Sequence, residues 1–202
     1  ESFHFLDYMA FQDTVRSDYE IIWIEYYSRK PEWIKNRLEE RQDDKTSPII
    51  DQWLVMNMPE EIYYHKHLMY NLGILRSRGS ICVMCDSDAI AKPSFVGAFL
   101  EFFDKNPSSF LHMDEIRSND KKFYPFNYPS IEEIEQTKCV NLKNGKPFGL
   151  IDQSDPLHSR NYGACFAAQK KDLIAIGGAD EHIDYLGHIC GPYELSFRLI
   201  NL

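Results

Sequence analysis

The sequence predicts an α/β domain, and three observations carry that prediction. Short β-branched or aromatic runs alternate with longer stretches of helical periodicity. The 202 residues are 44% apolar and 14% aromatic, a composition that belongs to a folded globular chain. One apolar run, Ile81 to Cys85, stops abruptly in Asp86-Ser87-Asp88, and open α/β sheets bind ligands at the carboxyl ends of their strands. The length suits a single domain spanning 1–202.

The elements follow in order. Phe5 to Phe11 has closely spaced apolar residues and reads as a helix. Glu20-Ile21-Ile22-Trp23-Ile24-Glu25 is β-branched and aromatic, which suits a buried strand. Pro31 opens a helix carrying Trp33, Ile34 and Leu38; the polar stretch Gln42 to Ser47 is a loop, and Ile49 to Met56 a short strand. A helix is expected from Pro59 to about Arg76, with Ile62, Tyr63, Met69, Tyr70 and Leu72 available for a buried face. Gly79 ends it, and Ser80 to Cys85 forms the next strand. Pro93 starts a helix with Phe95, Val96, Phe99, Leu100 and Phe103 on one side, and Phe110 to Met113 reads as a strand. From Asp114 to Arg160 charges and four prolines break the pattern, giving a loop-rich lobe. Regularity returns with a strand at Cys165 to Ala168 and a helix at Asp172 to Ile176, stopped by Gly177-Gly178. Pro192 to Leu199 is the last helix. No internal repeat or low-complexity tract occurs.

Charge and cysteine content exclude several classes. With 22 basic and 31 acidic side chains the net charge is -9, so no general excess of cations exists to grip a nucleic-acid backbone. No apolar run approaches the roughly 18 to 20 residues of a membrane span, and no signal-peptide pattern is present. Five cysteines, an odd number at irregular spacing, argue against a disulfide framework. Cys82 and Cys85 form a Cys-x-x-Cys pair, but it lies within a buried strand and no second pair completes a zinc site. Free thiols packed as small apolar side chains, in a reducing cytosolic compartment, are expected.

Two carboxylates one residue apart, at the end of a strand, can share a hard divalent cation. One binds it directly and the other acts through water or a sugar hydroxyl. The cation would neutralise a diphosphate and the charge that builds on it as it leaves. Alternatively, Ser87 or Asp88 simply caps a following turn or helix.

Three stretches in order carry a family resemblance. They are Asn71-Leu72-Gly73-Ile74-Leu75 with Arg78-Gly79-Ser80-Ile81 and Asp86-Ser87-Asp88; Gly163-Ala164-Cys165-Phe166-Ala167 with Lys171-Asp172-Leu173 and Gly177-Gly178-Ala179-Asp180-Glu181; and Tyr193-Glu194-Leu195-Ser196-Phe197-Arg198-Leu199. Together they resemble the family 2 glycosyltransferases with the A-type (GT-A) fold. The resemblance implies a mixed, mostly parallel sheet flanked by helices, with a nucleotide-sugar-binding half over about 1–113 and an acceptor-side half over about 114–202. It implies a metal-dependent, inverting transfer of a sugar from a nucleotide-diphosphate sugar to a glycan, lipid-linked or other hydroxyl acceptor, with no nucleic acid as partner. The place would be the cytoplasm or the cytoplasmic face of a membrane.

The resemblance also assigns roles. Asp88 would ligate Mn2+ or Mg2+, and Asp86 the cation or the ribose, with Ser87 between them in the nucleotide-sugar site. Glu25, at the end of its strand, would read the base, or is a solvated strand-end carboxylate. Asn71 would line the nucleotide site, or bonds nearby backbone. His182 and His188 flank a region that could supply a third metal ligand, His188 being the candidate, and His158 precedes the acceptor-side motif; the alternative for each is an ordinary polar surface residue. The aromatic run Phe123 to Tyr128 would stack on sugar rings or fill a core.

Two departures stand out. Nothing before Phe5 supplies the family's first apolar strand. Gly191-Pro192 stands where the family carries an acidic pair, and neither residue can deprotonate a hydroxyl. A relocated base would come from Asp180 or Glu181, with Asp184 and Glu194 as further candidates. The alternative is a transferase-like domain that binds nucleotide or glycan without chemistry. A nucleotidyltransferase is disfavoured by the absence of a Gly-rich, basic phosphate loop.

Overall fold

The computed structural model describes residues 4–27, 36, 50–113, 130, 132–133, 142–143, 146–147, 165–187 and 191–202. The expected helix with Trp33, Ile34 and Leu38, the loop at 42–47, the aromatic run at 123–128, Cys139, His158, His188 and Cys190 lie outside these residues.

Helix α1 (His4–Met9) precedes strand β1 (Ile22–Tyr27), and β2 (Gln52–Met58) follows. β1 and β2 pair in parallel, Trp23 opposite Trp53 and Ile24 opposite Leu54. The register slips between Glu25 and Tyr27, beside Asn57, whose φ of 56° is left-handed. Helix α2 (Lys66–Arg76) leads to β3 (Ile81–Cys85), then α3 (Phe95–Lys105) and β4 (Leu111–Met113). After a two-residue antiparallel pair, β5 (Leu142–Lys143) with β6 (Lys146–Pro147), come β7 (Cys165–Gln169), α4 (Lys170–Ala175) and α5 (Gly191–Ile200). No helix among the described residues is long and apolar enough to cross a membrane.

The α/β class is as the alternating pattern predicts, and the described strands form small separate sheets of mixed direction. β7 lies between β3 and β4 and runs antiparallel to both, while the parallel β1–β2 ladder is separate from them. β7 is buried along its first four residues, because helices cover both faces. Such a uniformly apolar run looks the same whichever way the strand points.

Alternation sorts the two layers. Cys82 and Met84 of β3, with Phe166 and Ala168 of β7, pack on Ile74 of α2, Leu173 of α4 and Leu195 of α5. Ile81 and Cys85, with Cys165 and Ala167, pack on Phe99 and Phe103 of α3. The Cys-x-x-Cys residues thus fall on opposite faces of one strand, where they cannot chelate one ion or pair. Cys82, Cys85 and Cys165 are free thiols. On β1, Trp23 packs against the cluster that holds Leu6 and Met9 of α1, as does Phe95 of α3, while Ile24 Cδ1 lies against Gly73 of α2.

The expected helix from Pro59 begins only at Lys66. Before it the backbone is tied elsewhere: Gly187 N–H donates to Tyr64 C=O (2.6 Å), His65 bridges Gly187, and Tyr26 OH donates to Tyr63 C=O (3.2 Å). Tertiary bonds outcompete the local pattern over these residues. From Lys66 onward straight-chain residues favour the helix, and Gly73, costing about 1 kcal/mol in a helix interior, allows the close approach of Ile24.

Candidate functional site

β1 and β3 run in the same direction. Their amino ends are joined by Glu20, whose carboxylate accepts from the N–H of Arg78, the N–H of Gly79 (3.2 Å) and Arg78 Nε (2.9 Å). Burial raises the Glu20 carboxyl pKa, but these bonds, with Gln52, outweigh it and hold the group below the usual glutamate value. Both strands line one cavity of about 1260 Å³ along their length; at their carboxyl ends its lining includes Glu25, Tyr64, Lys66, Asp86, Ser87 and Asp88.

Asp86-Ser87-Asp88 leaves β3 in a turn closed by Ala89 N–H on Asp86 C=O (3.1 Å). Ser87 C=O accepts from Phe5 N–H at the start of α1 (3.1 Å). Asp86 is half-buried and paired with Lys66 Nζ at 2.5 Å; Asp88 is exposed. Glu25 accepts from the Trp23 indole (2.6 Å) and sits two residues short of the end of β1, not at it. Burial raises the Tyr64 phenol pKa; Lys66 opposes this, while Asp86, Tyr27 and Glu25 add to it. Sequence reasoning missed Lys66 and Tyr64. With 59–76 read as one helix, nothing marked residue 66 as the first turn beside Asp86.

Asn71 is placed elsewhere. It stands on the face of α2 away from the cavity, where its side chain accepts from Ala179 N–H (2.7 Å) and donates to Ala179 C=O (2.8 Å) and Glu181 Oε1 (2.8 Å). His67, fully buried, bonds Asp180 C=O through Nδ1 (2.5 Å), and His65 Nε2 lies 3.1 Å from Glu181 C=O. Sequence reasoning passed over both. These side chains staple the segment after the Gly177-Gly178 turn along α2. Gly178, at φ 77°, packs so tightly on Asn71 that a Cβ would collide with Oδ1.

Helix α5 clamps the other side. Arg198 pairs with Glu194 and donates to Ile176 C=O (2.5 Å) and Gly178 C=O. Glu194 also accepts from Asp180 N–H (3.1 Å), and its side chain is 8% exposed. Of the candidate bases Glu194 is therefore committed to holding the turn. Asp180 is exposed and accepts from His182 N–H (2.9 Å). Glu181 is exposed and bonded to Asn71, and Asp184 is exposed beside His182 (3.3 Å). The backbone of Gly191-Pro192 forms the first turn of α5.

Among the described residues no group of three or more His, Cys, Asp or Glu side chains is gathered to hold a metal by itself. Asp88 with Asp86 offers one or two carboxylates, and Mg2+-type ions commonly take one or two carboxylates plus phosphate oxygens and water. Among the described residues lining the cavity, six carboxylates (Asp18, Glu20, Glu25, Glu60, Asp86 and Asp88) stand with one ammonium, Lys66. Such a field repels a bare diphosphate and favours a cation. Neither the protein-family models nor the curated proteins searched contain a match to this chain.

Proposed function

We propose that the chain is the nucleotide-sugar-binding and catalytic domain of a metal-dependent glycosyltransferase of the hexosyltransferase type, with a GT-A-like fold and inverting chemistry. One observation carries the reading. Asp86-Ser87-Asp88 emerges from the carboxyl end of β3, a strand with Cys82 and Met84 buried, and lines a large cavity. Bound there, Mn2+ or Mg2+ would neutralise the diphosphate as it leaves. Asp88 and Asp86 would hold the cation, Glu25 the nucleotide, and Lys66 adds a positive charge next to Asp86. Asp180 or Glu181 would take the proton of the acceptor hydroxyl. The acceptor would be a glycan, a lipid-linked sugar or another hydroxyl compound, at a cytoplasmic site consistent with free thiols.

Calorimetry with UDP-, GDP- and CDP-sugars, with and without Mn2+, followed by a hydrolysis assay, tests this. Metal-dependent binding and turnover, both lost in Asp88→Ala, are expected; full activity in that variant would remove the basis of the proposal. A second reading, binding without transfer, is favoured by the clamping of Glu194 on Arg198 and by Gly191-Pro192. It requires nucleotide-sugar binding with no turnover that Asp180→Asn or Glu181→Gln could abolish.

A further inference from the structure

β3 and β7 carry three of the chain's five cysteines, and their antiparallel register sorts them. Cys82 stands opposite Ala168, with no thiol across from it. Cys85, the last residue of β3, stands directly opposite Cys165, the first of β7. Residues opposed in an antiparallel pair have Cα atoms about 4.5–5.5 Å apart and side chains on one face. A disulfide spans Cα separations of about 4.4–6.8 Å, so the strands already hold these two residues at bridging distance. Their sulfurs are in contact as well. Cys85 and Cys165 share a thiol–thiol hydrogen bond, on the face that packs on Phe99 and Phe103.

Packing as a small apolar side chain accounts for Cys82, which is buried and bonded to Ser77 Oγ (3.4 Å). Two further features set Cys85 apart. It is half-buried and lines the large cavity, which gives a small oxidant a route to it, whereas Cys165 is only 7% exposed. It also immediately precedes Asp86. Whatever ties Cys85 to β7 therefore ties down the root of the Asp86-Ser87-Asp88 turn.

We propose that Cys85 and Cys165 form a reversible redox-modification site, which a hydroperoxide closes into a cross-strand disulfide and a dithiol reopens. With hydrogen peroxide, the Cys85 sulfur attacks one oxygen, the O–O bond breaks, and a sulfenic acid and one water result. The Cys165 sulfur then attacks the Cys85 sulfur; the S–S bond forms, the S–O bond breaks and a second water leaves. The two thiols lose two electrons and two protons, and the peroxide is reduced to two waters. Burial among apolar side chains slows the first step, while contact between the sulfurs makes the second fast. The sulfenic acid is consumed as it forms. A dithiol reverses the bridge by exchange and ends as a disulfide itself. Under a reducing poise the pair is open, as the free thiols of the structure are. None of this chemistry involves a nucleotide or a metal ion.

The test treats the reduced 202-residue chain with excess hydrogen peroxide for a prolonged period, with a chelator present and at two protein concentrations. Intact mass and non-reducing peptide maps follow the products. The expected product has lost two hydrogens, carries no added oxygen at either sulfur, and joins the Cys85 peptide to the Cys165 peptide. It forms independently of protein concentration and is undone by dithiothreitol. Because the bridge closes a long loop between strands already in register, the oxidised chain should melt about 5 °C or more above the reduced one. In Cys165→Ser the sulfenic acid has no resolving thiol, and dimedone should capture about tenfold more of it than in the parent. Serine at positions 82, 139 and 190 together should leave the bridge intact, and the parent's own peptide map decides the matter if that variant does not fold. Oxygen added at Cys85 without a bridge, a bridge mapped to Cys82, Cys139 or Cys190, or a bridge formed only in urea would each overturn the proposal. So would an oxidised chain that melts no higher than the reduced one.

Discussion

Replacing Asn71 by Ala separates two roles that the sequence leaves open, ligand to a nucleotide or clip for the segment after Gly178. In the structure the side chain bonds both backbone groups of Ala179, which is 3% exposed, and donates to Glu181. Asn71→Ala orphans a buried N–H and a buried C=O, each costing about 1–3 kcal/mol. Water entering the space left by the amide trims the upper end, and Ala gains about 0.5 kcal/mol of helix propensity. A net loss of about 2–4 kcal/mol results. For a chain of this size that lowers Tm by about 5–15 °C, readable by scanning calorimetry or by urea unfolding. Nucleotide-sugar affinity of the folded variant at low temperature should change little. A variant as stable as the parent, within about 0.5 kcal/mol, that has lost donor affinity would refute the clip and return Asn71 to the ligand site.

Lys66→Met should free the Asp86 carboxylate for a cation. A partly exposed pair of this kind contributes about 1 kcal/mol, so Mn2+ affinity measured without nucleotide should rise about fivefold; weaker binding would mean that Lys66 helps to hold the site. Glu20 has a folded pKa below its unfolded value, so its contribution is present above the unfolded pKa and lost as pH falls through the folded one. Glu20→Gln should therefore lower stability at neutral pH and flatten the decline in Tm on acidification, and an acid limb as steep as the parent's would contradict this. Burial raises the thiol pKa of Cys82, and a thiol–thiol hydrogen bond with Cys165, with burial, raises that of Cys85. Both should resist alkylation at pH 8 until the chain unfolds, which mass spectrometry of modified peptides can follow.

Much of this architecture was legible because it rests on local periodicity. The strand Ile81 to Cys85, the helix with Phe99 and Phe103 facing inward, and the stop at Gly177-Gly178 follow from apolar spacing and from left-handed glycines. Strand direction was not legible. β7 is apolar on both faces, and only tertiary contacts make it antiparallel. The start of α2 was missed because Tyr63, Tyr64 and His65 are held by Tyr26 and Gly187, one distant in sequence by 37 residues and the other by far more. At the site, Asp86 and Asp88 could be found from their place after a strand. Lys66, Tyr64, His65 and His67 could not, since each acquires its role from a residue remote in the chain.

The most direct test of the account is calorimetric titration of UDP-, GDP- and CDP-sugars into the chain and into Asp88→Ala, with and without Mn2+. Binding of at least one donor should tighten by about tenfold or more with Mn2+, and Asp88→Ala should abolish that gain while keeping the parent's Tm. Donor binding that ignores the metal, or a gain that survives Asp88→Ala, would contradict a cation held at the end of β3.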